Sequence, residues 1–151
     1  MESITSSITI TIIIMISLAA LLASILLFLR ARRNRPEDID LMEGHEFEYY
    51  CAELLVKCGF QDVQVTKGSG DYGVDILAEK EGVTYAIQCK CYTAPVGIKA
   101  VQEAYAGRDY YDRMVGAVLT NQYFTRPAVE AAKKLKILLW DRGYLEGMQD
   151  S

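Results

Sequence analysis

Hydrophobic and polar residues are arranged differently in the two parts of the chain. Between Glu2 and Arg30 there is no charged residue, and Ile8 to Leu29 is almost wholly Ile, Leu, Met, Ala and Phe with scattered Ser and Thr. Twenty-two helical residues at about 1.5 Å each span about 33 Å, against about 30 Å of bilayer hydrocarbon. The run therefore predicts a transmembrane helix over residues 8–29, behind a short extracytoplasmic N-terminus at residues 1–7. A cleaved signal peptide would need a positive start, a shorter apolar core and small residues at its end. This run starts beside Glu2 and ends in Leu27-Phe28-Leu29. Arg30, Arg32, Arg33 and Arg35 follow the run and no basic residue precedes it. The positive-inside rule then puts the rest of the chain in the cytoplasm, with the arginines anchored at the lipid headgroups of the bilayer. Residues 30–40 read as a basic juxtamembrane linker.

Beyond the linker the pattern becomes periodic. Phe47, Cys51, Leu54, Leu55 and Cys58 recur at spacings of three and four, which predicts a helix over Asp40 to Gly59 with Gly59 at its C-cap. Asp62 to Thr66 alternates as a short strand, and Lys67 to Gly73 is a glycine-rich loop. Val74 to Ala78 and Val83 to Cys91 read as a hairpin. On the second strand Val83, Tyr85, Ile87 and Cys89 share one face, and Thr84, Ala86, Gln88 and Lys90 the other. A helix over Val96 to Tyr111, a buried strand over Val115 to Thr120, a helix over Ala128 to Leu135 opened by Thr125-Arg126-Pro127, and a strand over Lys136 to Trp140 complete the order. The α-β-β-β-α-β-α-β succession predicts an α/β domain over 41–146, with a mixed central sheet flanked by helices, and a C-terminal tail at 147–151.

Charge narrows the partners. The whole chain carries −4, but from Pro36 onward 12 basic residues face 19 acidic ones, a balance of −7. Such a domain does not attract polyanions by net charge, so binding of nucleic acid would need a local basic patch or a metal ion. Cys51, Cys58, Cys89 and Cys91 are expected as free thiols in the cytoplasm, filling core space. Cys89-x-Cys91 lacks a second ligand pair for zinc, and His45 is the sole histidine.

A two-residue loop at Glu81-Gly82 would pair Lys80 with Val83 and set Asp75 opposite Gln88. Gln88 and Lys90 point to the same side. A carboxylate, an amide oxygen and an ammonium thus converge on one patch of sheet. Hard oxygen ligands suit a divalent metal, here from Asp75, the Gln88 side chain and the Cys89 backbone carbonyl. Lys90 would orient or deprotonate the attacking water and screen developing charge. Glu48, on the first helix, would ligate through water or hold a second metal. On residue type alone, an Asp after a glycine-rich loop is a turn former and a Lys in a strand is a solvated face.

The wider pattern resembles the Mrr-type restriction-endonuclease catalytic domain, the QxK branch of the PD-(D/E)xK nuclease superfamily. The blocks that carry the resemblance are Met42-Glu43-Gly44-His45-Glu46-Phe47-Glu48, Leu54-Leu55 with Gly59-Phe60, Gly70-Asp71-Tyr72-Gly73-Val74-Asp75, Ile87-Gln88-Cys89-Lys90, Ala117-Val118-Leu119-Thr120-Asn121 and Phe124-Thr125. The resemblance implies a restriction-endonuclease-like core, cleavage of DNA with Mg²⁺ (Mn²⁺ substituting), and Glu48, Asp75, Gln88 and Lys90 as the active-site set. Gln88 stands where the wider superfamily has a second acid, which lowers the charge offered to the metal.

Lys99 and Gln102 on the next helix, and the cluster Lys133, Lys134 and Lys136, are candidate contacts to the DNA backbone against a solvated-face alternative. Asp71 reads as a loop residue against a second acidic ligand, His45 as a surface histidine beside Glu48 against a proton shuttle or phosphate contact, and Tyr105, Tyr110 and Tyr111 as core and rim against base-stacking residues. The expectation is a nuclease held at the inner face of a bacterial plasma membrane by one span, acting against foreign DNA such as phage. A homodimer or an activating partner would supply control or specificity. Two alternatives stand beside it: a silent nuclease fold that binds DNA or a partner at the membrane, and a structure-selective junction nuclease.

Overall fold

The structure is a computed structural model that describes residues 14–26, 39–67 and 72–150. The chain divides into two units, Met1–Glu37 and Asp38–Ser151. In the first, residues 14–26 are helical (α1). Ser17 and Ser24 turn their hydroxyls back onto the carbonyls of Ile14 and Ala20, each at 2.8 Å, so their polar groups are satisfied within the helix. Among the described residues no helix is long and apolar enough to cross a membrane. The expected span, Ile8 to Leu29, reaches beyond them on both sides, and Arg30, Arg32, Arg33, Arg35 and Asp71 lie outside them.

The second unit is a five-stranded sheet between two layers of helices. In chain order it runs α2 (Gly44–Lys57), β1 (Gln61–Val65), β2 (Ile76–Lys80), β3 (Val83–Lys90), α3 (Ile98–Tyr110), β4 (Val115–Thr120), α4 (Arg126–Leu135), β5 (Ile137–Trp140) and α5 (Arg142–Gln149). The strands lie side by side in sequence order. β1, β2 and β3 pair antiparallel, and β3, β4 and β5 pair parallel. This is the mixed α/β sheet the pattern predicted. Helices must link the parallel strands, because a parallel return needs a crossover, and α3 and α4 provide it.

Each face has its own core. α2 and α5 bury Phe47, Cys51, Leu54, Leu55, Leu145 and Met148 with Ile76, Ile87, Cys89, Leu119 and Trp140 of the sheet. α3 and α4 bury Ala100, Val101, Ala104, Ala128 and Ala132 with Val118 and Ile137. A side chain such as Phe47 or Leu55, fully withdrawn from water, contributes about 1.5–3 kcal/mol. All four cysteines are free.

The differences from the sequence reading have local causes. α2 starts at Gly44 rather than Asp40, because Asp40 is engaged elsewhere. Arg142 donates to both its oxygens at 2.8 and 2.9 Å, and Asn121 donates to it at 2.9 Å. α2 ends at Lys57 with Cys58 as its C-cap, and the expected cap, Gly59, follows with positive φ: Phe60 N–H returns to Leu55 O at 3.0 Å and Gly59 N–H to Val56 O at 3.1 Å, the two bonds of a Schellman motif. α3 starts at Ile98 rather than Val96, because the Val96 backbone is bonded across to Tyr123 and Thr125 in a parallel bridge. α4 starts two residues early, at Arg126, where the Thr125 hydroxyl accepts from Ala128 N–H and Pro127 occupies the first turn. α5 was not expected. Asp141 caps it by accepting from Tyr144 N–H at 3.1 Å, and Leu145 and Met148 anchor it, but Gly143 and Gly147 hide its pattern.

Two predictions test this packing. A Cβ at Gly107 of α3 would press into the Val74 side chain and lie 3.0 Å from Tyr72 O. Alanine is worth about 1 kcal/mol over glycine in a helix, and overpacking of this kind costs about 1–3 kcal/mol or more. Gly107→Ala is therefore expected to lower the melting temperature by circular dichroism, and a rise would show that α3 can move off the loop.

The second concerns Asp40, whose carboxyl is held below its ordinary value by the hydrogen bonds from Arg142 and then Asn121, against the opposing effect of burial. A folded-state value below the unfolded one gives stability that is present above the unfolded value and lost as pH falls through the folded one. Asp40 is 42% exposed, so screening keeps the effect small. Urea titrations of wild type and Arg142→Gln should show a stability gap at pH 7 that narrows on acidification below about pH 4. A gap independent of pH would refute the assignment.

Candidate active site

The hairpin of β2 and β3 builds the site. Its pairs run from Lys80 with Val83 to Ile76 with Ile87, the register expected from a two-residue loop. Glu81 and Gly82 both have positive φ, 53° and 77°, as a type I′ turn requires. Asp75 precedes β2 and donates its N–H to Ile87 O at 2.9 Å. Its carboxylate therefore lies against the end of β3.

Asp75 and Gln88 are both buried. Asp75 Oδ2 accepts from the backbone N–H of Cys89 at 2.6 Å and from Gln88 Nε2. Gln88 Nε2 also reaches the Cys89 carbonyl at 3.3 Å. The other end of the amide, Oε1, is buried with no hydrogen-bond partner. Turning the carboxamide by half a turn exchanges its two ends. Oε1 would then meet the Asp75 carboxylate and the Cys89 carbonyl, three oxygens with no donor among them, a set that a hard cation satisfies. The donor chemistry thus fits a divalent ion. Among the described residues no group of three or more His, Cys, Asp or Glu could hold a metal, so such a site would rest on one carboxylate, one amide and one carbonyl.

Lys90 lies at the end of the same strand, on the face covered by α3. Its Nζ is 3.0 Å from Glu103 Oε2, and Glu103 Oε1 is 3.8 Å from Lys99 Nζ. Burial alone would lower the pKa of Lys90. The Glu103 carboxylate opposes it as an ion-pair partner at 3.0 Å, without hydrogen-bond alignment at Oε2, and with the charges of Tyr92 and Asp75 the net direction is upward. These neighbours thus favour the charged form of Lys90.

Gly73 packs against this cluster. Its φ is +77°, and a Cβ there would lie 2.8 Å from Glu103 Cβ and 3.2 Å from Gln88 Oε1. Only a residue without a side chain lets the loop pass so close.

The remaining candidates are placed differently. Glu48 shares a hydrogen bond with His45 Nδ1 at 2.7 Å. It comes from α2, on the opposite face of the sheet from Lys90. The two acids meet electrically at the buried Cys89 thiol. A hydrogen bond to Cys51 and burial raise that thiol's pKa most, and the charges of Asp75 and Glu48 add to it.

Lys99 is exposed and beside the site through Glu103, and Gln102 is exposed on the same helix. Lys133, Lys134 and Lys136 are exposed where α4 runs into β5. Gly116 pairs with Ile137 while Thr120 pairs with Lys90. At about 3.3 Å per residue the lysine cluster is therefore some four residues or more down the sheet, about 13 Å from the level of Lys90. Tyr105 and Tyr110 are exposed, and Tyr110 stacks on Tyr72. Glu103 was not expected at the site. Its signal was present: it lies four residues after Lys99, in the second turn of the helix that follows the Lys90 strand.

The chain also resembles known proteins in sequence and fold. The restriction endonuclease family designated Mrr_cat matches residues 39–148. Nothing among the curated proteins matches the chain. The fold is shared with the solved structure of AF1548, a protein of unknown function. That match has a TM-score of 0.60 and 24% identity, and covers 70% of this chain and 65% of that one. It is shared also with the DNA modification-dependent restriction endonuclease AspBHI, at a TM-score of 0.52 and 21% identity over 68% of this chain. A third is the MspJI restriction endonuclease, solved in complex with a 27-mer oligonucleotide, at 0.54 and 20% over 86% of this chain. The match spans 30% of each of those two enzymes. The matched stretch covers the whole sheet and every residue of the Asp75, Gln88 and Lys90 cluster, and the chain belongs to the Mrr-type restriction endonuclease family.

Proposed function

We propose that this domain is a Mg²⁺-dependent endodeoxyribonuclease that hydrolyses DNA phosphodiester bonds. The observation that carries the reading is the buried cluster of Asp75, Gln88 and the Cys89 carbonyl with the Lys90 ammonium next along the same strand. Asp75, Gln88 Oε1 and the Cys89 carbonyl would hold the cation, with Glu48 joining through water. Mn²⁺ can take the place of Mg²⁺. When bound, the ion acidifies water and neutralises charge on the phosphate.

Hydrolysis forms a bond from a water oxygen to phosphorus and breaks one P–O ester bond, and the leaving oxygen takes up a proton. The chain's own groups prepare that exchange. Lys90, as an ammonium, donates to a phosphate oxygen or to the attacking water and offsets charge as it develops. The buried walls around Asp75 and Gln88 keep these groups in one geometry before substrate arrives. Lys99 and Gln102, exposed on α3 beside the site, are the candidate contacts to the DNA backbone.

The apolar run Ile8–Leu29 and the arginines after it support anchoring of the domain at the inner face of a bacterial plasma membrane. A role against entering foreign DNA fits that place. The domain's balance of −7 favours a second reading, a nuclease fold that binds DNA or a partner without cutting. It also argues for weak basal activity, released by a partner, a second copy or a signal. A junction-selective nuclease would need a self-paired dimer.

Plasmid cleavage decides between cutting and silence. The full chain in detergent is expected to nick plasmid DNA with Mg²⁺ or Mn²⁺ and to lose this with EDTA. Lys90→Ala should reduce the rate by about 10²-fold or more, with its circular dichroism unchanged. Wild-type protein that binds DNA but never cuts it, with either metal, would replace this reading with the silent one.

A further inference from the structure

We infer that Glu103 is a positioning residue for the reaction: it fixes the Lys90 ammonium at the site and joins α3 to the loop that delivers Asp75. The inference rests on the nuclease reading above. Three observations carry it. Glu103 Oε2 lies 3.0 Å from Lys90 Nζ, and both side chains are largely withdrawn from solvent, at 29% and 19% exposed. Glu103 Oε1 faces Lys99 at 3.8 Å, so the carboxylate is held between two cations rather than turned out to water. The Glu103 side chain begins where Gly73 packs, and Gly73 in turn lies against Gln88.

The chemistry explains why a carboxylate stands where substrate phosphates must come. By charge alone Glu103 repels DNA. What it supplies is order. A lysine side chain has four rotatable bonds and, unpaired at the end of its strand, would sample many positions. Paired with Glu103 it waits in one, and α3 sets where that one is. Lys90 touches the substrate in this scheme and Glu103 acts only through it. The base of the same side chain, at Cβ, packs at the Gly73 turn, so the two segments that meet at the site, residues 73–75 and 88–90, share one support on α3.

A lock is the opposite case: Glu103 would hold Lys90 away from substrate, and its removal would speed cleavage. The two cases part on the sign of the change in kcat. The test is steady-state plasmid nicking by the full chain with Mg²⁺, comparing wild type, Glu103→Gln and Glu103→Asp. Glu103→Gln keeps the shape and the packing on Gly73 but removes the charge. A fall in kcat of about 10–100-fold is expected, as for supporting groups around other sites. KM should be unchanged or lower, since a repulsive charge has gone. Glu103→Asp keeps the charge and should recover part of kcat.

A general loss of structure would not divide kcat from KM in this way. Equal or higher kcat in Glu103→Gln would overturn the inference and leave the nuclease reading intact. Loss of activity in both variants together with loss of their circular dichroism signal would assign Glu103 to the fold, and also overturn it. No cleavage by the wild type would overturn the nuclease reading and this role with it.

Discussion

A carboxylate as buried as that of Asp75 must be met by donors, and the peptide of β3 meets it. Cys89 N–H, at the last turn of the strand's pleat, points at Oδ2, and the Gln88 amide closes on the same oxygen. Unmet, such a group would cost several kcal/mol or give up its charge. Met in this way, it binds the end of β2 to the end of β3 through side chain and backbone at once. Much else is arranged around that contact. β3 is central, flanked by an antiparallel and a parallel neighbour. α3 lies over its even-numbered residues and brings Glu103 to Lys90. The loop at Gly73 must pass close because Asp75 has to arrive at that point.

Where the sequence could be read, a local rule was strong enough to fix the answer. The two-residue turn at Glu81-Gly82 sets the hairpin register, and strand period then places Gln88 and Lys90 on one side, so the meeting with Asp75 followed from counting. β4 could be recognised as an unbroken apolar run. Where the reading stopped, a tertiary contact had overruled the local signal. Asp40 belongs to Arg142 and Asn121 rather than to a helix. Val96 looks helical but is tied to Tyr123 and Thr125. Glu103 looks like any acid on a solvated helix face until its partner is known. The lysines at 133, 134 and 136 are close in sequence to one another, and only the strand register shows them down the sheet from the site.

The balance of charge bears on how such a site could be controlled. An acidic domain gains little from long-range attraction to DNA, and its encounter rate with a polyanion is low. Contacts near the site therefore matter more than the surface as a whole. Lys99, 88% exposed, stands near the site, and its partial pairing with Glu103 ties that outer charge to the inner one on Lys90. For acidic domains in general, tethering near a polyanion can replace attraction as the source of local concentration.

The hairpin also bears on the order in which the molecule assembles. Asp75 and Gln88 are 13 residues apart, joined by one tight turn. Closing a loop of that length takes on the order of a tenth of a microsecond, and a hairpin forms within about ten microseconds. The parallel pairing of β3 with β4 must wait for the whole of α3 to cross over, a slower step with a larger entropic barrier. The buried carboxylate can thus find its donors before the sheet is complete, and the half-built centre would serve as a template on which the slower strands dock.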